Sequence, residues 1–342
     1  MKTEIIRTWP GDRDLDKKIS PAALAIREGK LVAFPTETVY GLGADALNAE
    51  AVKRIFEAKG RPQDNPLIVH IAHEEGIYNL AREVPRKAKD LIDRFWPGPL
   101  TLILKKSPII PDRTTAGLDT VAIRMPSHPI ARKLILLSER PIAAPSANTS
   151  GKPSPTTGKH VIDDLYGKVE YIIDGGPTNV GLESTVIDLT TDPPMLLRPG
   201  GVTLGQLEEV LGKVDVHPAV FGKRITGNPR SPGMKYRHYA PDARLILVEG
   251  PRDKVVKRIN EMLGSLGTNK IGVLAVYGEY NQGIVVNLGK STEEVARKVF
   301  DALRDLDRRG ADIIIAEGIP DTELGLAVMN RLRKAASEII KL

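Results

Sequence analysis

The chain has 342 residues, 41% hydrophobic and 27% charged, and no cysteine. These values exclude a disordered chain, a collagen-like repeat, a disulfide-stapled scaffold, and any site built on a thiolate, an iron–sulfur cluster or cysteine-bound zinc. The net charge is +6, but residues 213–244 hold seven basic and two acidic side chains, so the excess is one segment rather than a general coat. Length suggests about two domains. The start, MKTEIIRTWPGDRD, lacks the basic-then-apolar pattern of a secretory signal, and no apolar run reaches the ~18 residues of a membrane span. The expectation is a cytoplasmic protein that makes no membrane contact.

In chain order, Ser20-Pro21 reads as a helix cap and first-turn proline, with Gly29 ending the helix over AALAIRE. LVAF (31–34) is a short apolar strand. Gly41-Leu42-Gly43-Ala44-Asp45-Ala46 fits G-x-G-x-x-A, but it follows PTETVY rather than a clean strand end, so it reads as a tight polar turn. EAVKRIFEAKG (50–60) has helical spacing and stops at Gly60. PLIVHIA (66–72) is a buried strand; Leu91 to Trp96 closes a second helix; LTLIL (100–104) and TVAIRM (120–125) are strands. IARKLILLSE (130–139) is helical, and IAA (142–144), YIID (171–174) and STVIDLT (184–190) are strands. This first part is a mixed α/β domain.

From Val214 to Ala243 the proline and glycine punctuation leaves no helical or strand period, which marks a linker. The domain boundaries are therefore 1–212, a basic linker at 213–242, and 243–342. After the linker, strands at 243–250, 270–278, 283–289 and 311–319 alternate with helices at 253–266, 291–310 and 324–340. Ser291 and Glu294 form a capping box. The pattern is that of a small Rossmann-like domain without a phosphate-binding glycine fingerprint.

The polar residues collect at element ends. Lys59 and Arg61, fixed by Gly60 and Pro62, suit a polyphosphate or a helix C-terminus. The run APSANTSGKPS (144–154) follows a strand, and its small residues leave backbone N–H groups to cradle an anion. Arg124, Ser184-Thr185 and Arg198-Pro199-Gly200-Gly201 are further clusters. His70 and His73 lie three apart with no carboxylate at ligand spacing, which argues against zinc. No protein-held metal is expected.

Seven blocks in order, PTETVYGLGADA, KGRPQDNPLIVHI, FWPGPLTLIL, VAIRMPSH, APSANTSGKPSPT, ESTVIDL and LLRPGG, resemble the YrdC-like domain. The linker text SPGMKYRHYAP (231–241), followed by a small α/β domain, resembles the long, two-domain form of the threonylcarbamoyl-AMP synthase family. The resemblance implies a YrdC-like twisted open mixed sheet with helices, followed by the smaller Rossmann-like domain. It implies a nucleotidyl transfer that joins L-threonine, bicarbonate or CO2, and ATP with its Mg2+ into threonylcarbamoyl-AMP and pyrophosphate. The product feeds N6-threonylcarbamoyladenosine formation in tRNA through a separate transferase system, with a tRNA contact by this chain left open. Such chemistry asks for positioning and charge neutralisation, not a protein nucleophile.

By the same resemblance, Lys59, Arg61, Ser146 and Asn148 are the catalytic set. Lys59, Arg61, Gln63, Thr120, Ser146, Ser154, Arg198, Tyr236, Arg237 and His238 bind ATP. Thr36, His70, Arg124, Ala144 and Ser184 surround the threonine, with Arg124 as the fork for its carboxylate. The +5 of the linker and the hinge Ser231-Pro232-Gly233 make residues 231–239 a lid that closes on the polyphosphate. Two other classes stay open: an RNA-binding module, motivated by the pI of about 9.3, and a carbamoyltransferase that uses a YrdC-like domain.

Overall fold

The structure, a computed structural model, describes residues 1–223, 229–235, 238–265 and 270–342. The chain forms two compact units, Met1–Ser150 with Ser154–Lys235, and Gly151–Pro153 with Tyr236–Leu342. Among the described residues of the first unit, eleven strands make one mixed sheet: β1 (Glu4–Arg7), β2 (Val32–Phe34), β3 (Gly41–Asp45), β4 (Ile68–His70), β5 (Leu100–Lys105), β6 (Thr120–Arg124), β7 (Ile142–Ala143), β8 (Tyr171–Asp174), β9 (Thr185–Asp188), β10 (Met195–Arg198) and β11 (Asp215–Val216). Their order across the sheet is β1-β8-β2-β3-β7-β4-β6-β5-β9-β10-β11.

Alternation along each strand divides the sheet into two faces. Val69, Leu100, Leu102, Val121, Ile123 and Ala143 point to one face, where they pack with the apolar sides of helices Ala49–Lys59 and Arg86–Phe95. On the opposite face, Val32, Phe34, Ile142 and Ile173 are covered by helices Leu15–Arg27 and Pro129–Ser138. The same face continues across β4, β6, β5 and β9 as Ile68, Ala122, Ile103 and Val186, and there a smaller cluster covers it, with Ala219 and Met234 among its members. The polar residues of the site lie beside this cluster.

Two expected elements differ. Gly41 to Asp45 is a strand, not a turn. It is wholly buried, and a Cβ on Gly43 would come within 2.7 Å of both Phe34 Cε1 and Ile142 Cγ2, so the glycine serves close packing. The first helix begins at Leu15 and carries Pro21 inside it; Leu15 and Ile19 extend the buried stripe backwards past the proline.

The second unit has a five-stranded sheet, with β12 (Arg244–Glu249), β13 (Ile271–Ala275), β14 (Ile284–Asn287), β15 (Ile313–Glu317) and β16 (Glu338–Lys341) in the order β14-β13-β15-β12-β16. Every pairing is parallel, as the Rossmann-like expectation requires. Ser291 caps helix Thr292–Arg308 through the Glu294 amide at 3.2 Å, while the Glu294 carboxylate reaches the Lys290 amide at 2.7 Å. The last helix ends at Ala335, and Glu338–Lys341 adds an edge strand beside β12 instead of continuing it. Its Ile339-Ile340 pair favours the extended form.

Candidate active site

Register builds the centre of the site. His70 at the end of β4 is the cross-strand partner of Arg124 at the end of β6, and Arg124 is in turn the partner of Thr101 on β5. The next strand brings Ser184, whose hydroxyl lies 2.7 Å from that of Thr101. Arg198, at the end of β10, donates to the Ser184 hydroxyl at 3.1 Å and to its carbonyl at 3.0 Å. A close approach permits this: a Cβ on Gly200 would sit 2.4 Å from the Glu183 carbonyl oxygen and the Thr185 amide. The loop between β2 and β3 supplies the other side. Arg124 donates to Glu37 Oε1 at 2.7 Å, to the Thr38 hydroxyl at 2.9 Å and to the Gly98 carbonyl at 3.2 Å. Thr38 and Thr36 hydroxyls are 2.8 Å apart, and Thr36 donates onward to the Val39 carbonyl at 2.6 Å. All of these side chains are buried.

Burial sets the charges. It raises the Glu37 carboxyl by itself, but the Arg124 charge and hydrogen bond more than reverse that, holding the group below its ordinary value. Burial, helped by the Arg124 charge, brings the His70 imidazole down to about 3. The ring is therefore neutral, with Nδ1 3.3 Å from the Ile142 carbonyl. A proton on Nδ1 would donate there and leave Nε2 as an acceptor.

His70 also predicts a pH effect. The unfolded chain protonates this imidazole below about pH 6.5, whereas the native one stays neutral down to about 3. Stability therefore falls as pH drops through that window, by up to ~1.4 kcal/mol per unit. In urea unfolding, His70→Gln should lose about 2 kcal/mol less than wild type between pH 6.5 and 4.5. Equal losses would show that His70 titrates as an ordinary imidazole.

The second part of the site gathers round residues 144–154. Helix Ala49–Lys59, capped by the Asn48 side chain and stopped by Gly60 at φ 61°, delivers Lys59 at its last turn. The Lys59 ammonium is buried and donates to the carbonyls of Ser146, at 2.5 Å, and Asn148. Ser146 Oγ donates to Asn148 Oδ1 at 2.6 Å. Arg61 lies against the carbonyls of Asn65 and Pro66, both at 3.4 Å. Ser154 Oγ is bonded to the buried Glu183 carboxylate. The expected cradle of free amides needs correcting. The amides of Ala147, Thr149 and Ser150 go to the Tyr40 carbonyl, the Asp164 carboxylate and the Lys59 carbonyl, at 2.8, 3.0 and 2.9 Å. The loop is pinned along β3, and these three amides are not part of a free cradle.

Residues 229–235 lie over the same face. Met234 joins the cluster of Ile68, Ala122 and Val186. Arg230 reaches the buried Asp188 at 2.8 Å, and Lys235 reaches Asp64 at 2.7 Å.

A family model described as "Telomere recombination" matches residues 24–200, and one described as "Threonylcarbamoyl-AMP synthase, C-terminal domain" matches residues 202–337. The threonylcarbamoyl-AMP synthase of Pyrococcus abyssi is 62% identical over 95% of this chain and 96% of its own, and that of Bacillus subtilis 52% identical over 94% and 93%. The chain belongs to the threonylcarbamoyl-AMP synthase family. A crystal structure of P. abyssi Sua5 complexed with L-threonine superposes with a TM-score of 0.96 at 60% identity, covering 99% of this chain and all of that one.

Of the residues that likeness to threonylcarbamoyl-AMP synthases assigned to threonine, the structure gathers Thr36, His70, Arg124 and Ser184 through the contacts above, and Ala144 follows β7, its amide 2.9 Å from the Ile68 carbonyl. Arg198 and Ser184, expected on the nucleotide and the threonine, are bonded to each other. Thr120 starts β6 and Arg124 ends it, so Thr120 lies at the far end of the same strand face. Gln63 is exposed beyond Arg61. Tyr236 and Arg237 lie outside the described residues. His238 belongs to the second unit, its ring 5.6 Å from that of Tyr239. Glu37, Thr38, Thr101 and Glu183 were missed by sequence reasoning. Glu37 had a signal, a carboxylate set between two threonines in PTETVYG, but its partner Arg124 is 87 residues away. No helix among the described residues is long and apolar enough to cross a membrane.

Proposed function

We propose that the chain joins L-threonine, CO2 from bicarbonate, and ATP into L-threonylcarbamoyl-AMP, releasing pyrophosphate. The observation that carries the reading is the buried set of His70, Arg124 and Ser184 at strand ends with Thr36 and Thr38 on the facing loop, beside the Lys59-anchored loop. Arg124 takes the carboxylate of threonine, and Thr36, Ser184 and the neutral His70 line its short hydroxylated side chain, with Ala144 at the wall. The threonine carbamate then attacks the α-phosphorus of ATP. Lys59, Arg61, Ser146, Asn148 and Ser154 position the phosphates, with Thr120 and Arg198 on the nucleotide. Residues 231–239 act as the lid that keeps water from the mixed anhydride. Mg2+ enters with ATP, held by phosphate oxygens and water. Oε1 of Glu37 is held by Arg124 and the Glu183 carboxylate by Ser154, and no protein ligand is assigned to Mg2+. The product passes to a separate transferase that modifies tRNA.

Pyrophosphate release should require both L-threonine and bicarbonate. Valine, which replaces the hydroxyl by a methyl, should be at least about tenfold slower, because it sets a methyl against a buried polar wall and loses any hydrogen bond the substrate hydroxyl makes there. Equal rates with valine or alanine, or indifference to bicarbonate, would sink the reading.

A further inference from the structure

Glu37 has no part in the roles above, yet it is the anion at the centre of the buried polar set round Arg124. The residue is 6% exposed, with Oε1 on Arg124, the Ser127 amide and its own amide near the carboxylate, and Oε2 buried without a hydrogen bond of ordinary geometry among the described residues. A buried carboxylate oxygen placed in this way calls for a donor. Arg124 spends one N–H of each nitrogen on Glu37, Thr38 and Gly98, which leaves one on each terminal nitrogen. A cation and an anion therefore lie side by side in the site, 2.7 Å apart. An α-amino acid carries the complementary pair, a carboxylate and an ammonium one carbon apart.

We propose that Glu37 is a catalytic residue for carbamate formation: its Oε2 binds the α-amino group of the amino-acid substrate and accepts the proton that leaves nitrogen. The proposal rests on the reading of this pocket as the amino-acid site. The substrate ammonium gives a first proton to Glu37, which passes it to solvent. The nitrogen lone pair then forms the N–C bond to CO2 while one C=O electron pair moves onto oxygen. Glu37 takes the second proton from that nitrogen, leaving R–NH–COO⁻, and two protons are released in all.

The groups facing Glu37 suit this role. They are Arg124 on β6, His70 on β4 and His128 ahead of helix Pro129–Ser138. Burial holds both imidazoles below their ordinary value, so neither adds a competing cation at neutral pH. Arg124 keeps the Glu37 carboxyl low. A substrate carboxylate arriving on Arg124 offsets that cation, so Glu37 becomes more basic when the amine is in place.

The test uses Glu37→Gln in the full chain, read by calorimetric binding of L-threonine and of 2,3-dihydroxybutanoate, which replaces the amine by a hydroxyl, and by the pH profile of synthesis. Wild type should prefer threonine by more than about tenfold, and the variant should lose that preference. Synthesis at neutral pH should fall by about 100-fold and recover toward the amine pKa. Should Glu37→Gln not fold, Glu37→Asp carries the test, with the threonine preference retained and kcat reduced. A variant with the wild-type preference and pH profile, or an aspartate variant with wild-type kcat, overturns the proposal. So does an equal loss of both ligands with a lowered Tm, which would make Glu37 a structural counter-ion. If wild type binds neither ligand, the amino-acid reading of the pocket fails, and the proposal with it.

Discussion

Arg124→Met should destabilise the protein by about 3–5 kcal/mol and abolish detectable threonine binding. Both members of the Arg124–Glu37 pair are buried, their side chains 4% and 8% exposed. Removing the guanidinium strands the Glu37 carboxylate, and it also releases the Thr38 hydroxyl and the Gly98 carbonyl. Lysine is not a substitute, because one ammonium cannot reach three acceptors spread round a planar fork. A double variant, Arg124→Met with Glu37→Gln, separates the two effects. It should regain much of the stability, since no charge is left unpaired, and should still fail to bind threonine. Thermal unfolding and calorimetry on the two variants check this. An Arg124→Met protein with wild-type Tm and threonine affinity would show that the pair matters to neither.

The second large effect is expected at Lys59. Lys59→Met keeps the aliphatic stem and deletes the ammonium that ties the Ser146 and Asn148 carbonyls together. Adenylate formation should fall by about 10²–10³-fold, the loss typical of one well-placed donor in an active site. Two routes lead there, loss of a phosphate cation and loosening of the 146–148 loop, and both act through this one nitrogen. The competing role, a cation that merely stabilises the end of helix Ala49–Lys59, predicts less than ~1 kcal/mol of stability and no kinetic change. Pyrophosphate release with saturating ATP decides, and wild-type kinetics would favour the helix-end role.

What the chain order makes readable is local. Helix Thr292–Arg308 is legible because its cap, apolar stripe and stop lie within one stretch. The strand Gly41–Asp45 is not, because two glycines chosen for tight packing against Phe34 and Ile142 resemble a turn when the neighbours are unknown. The site follows the same rule. Arg124 and His70 are recognisable as polar residues at strand ends, but that they are cross-strand partners depends on β4 lying beside β6. That Lys59 faces carbonyls of its own fold depends on where residues 146–148 are pinned, which no spacing along the chain records.

The two faces of β6 impose a further condition on how this protein can vary. Val121 and Ile123 belong to the main core, while Thr120, Ala122 and Arg124 belong to the opposite face. Chemistry and packing are thus interleaved residue by residue, like two messages sharing one tape. Substitution can edit either message alone. Insertion or deletion of a single residue exchanges them, sending a guanidinium into the core and an isoleucine to the substrate. A length change that keeps the site is therefore expected only where the phase can be reset, in the loops that join strands, and not within the strands that bear the site.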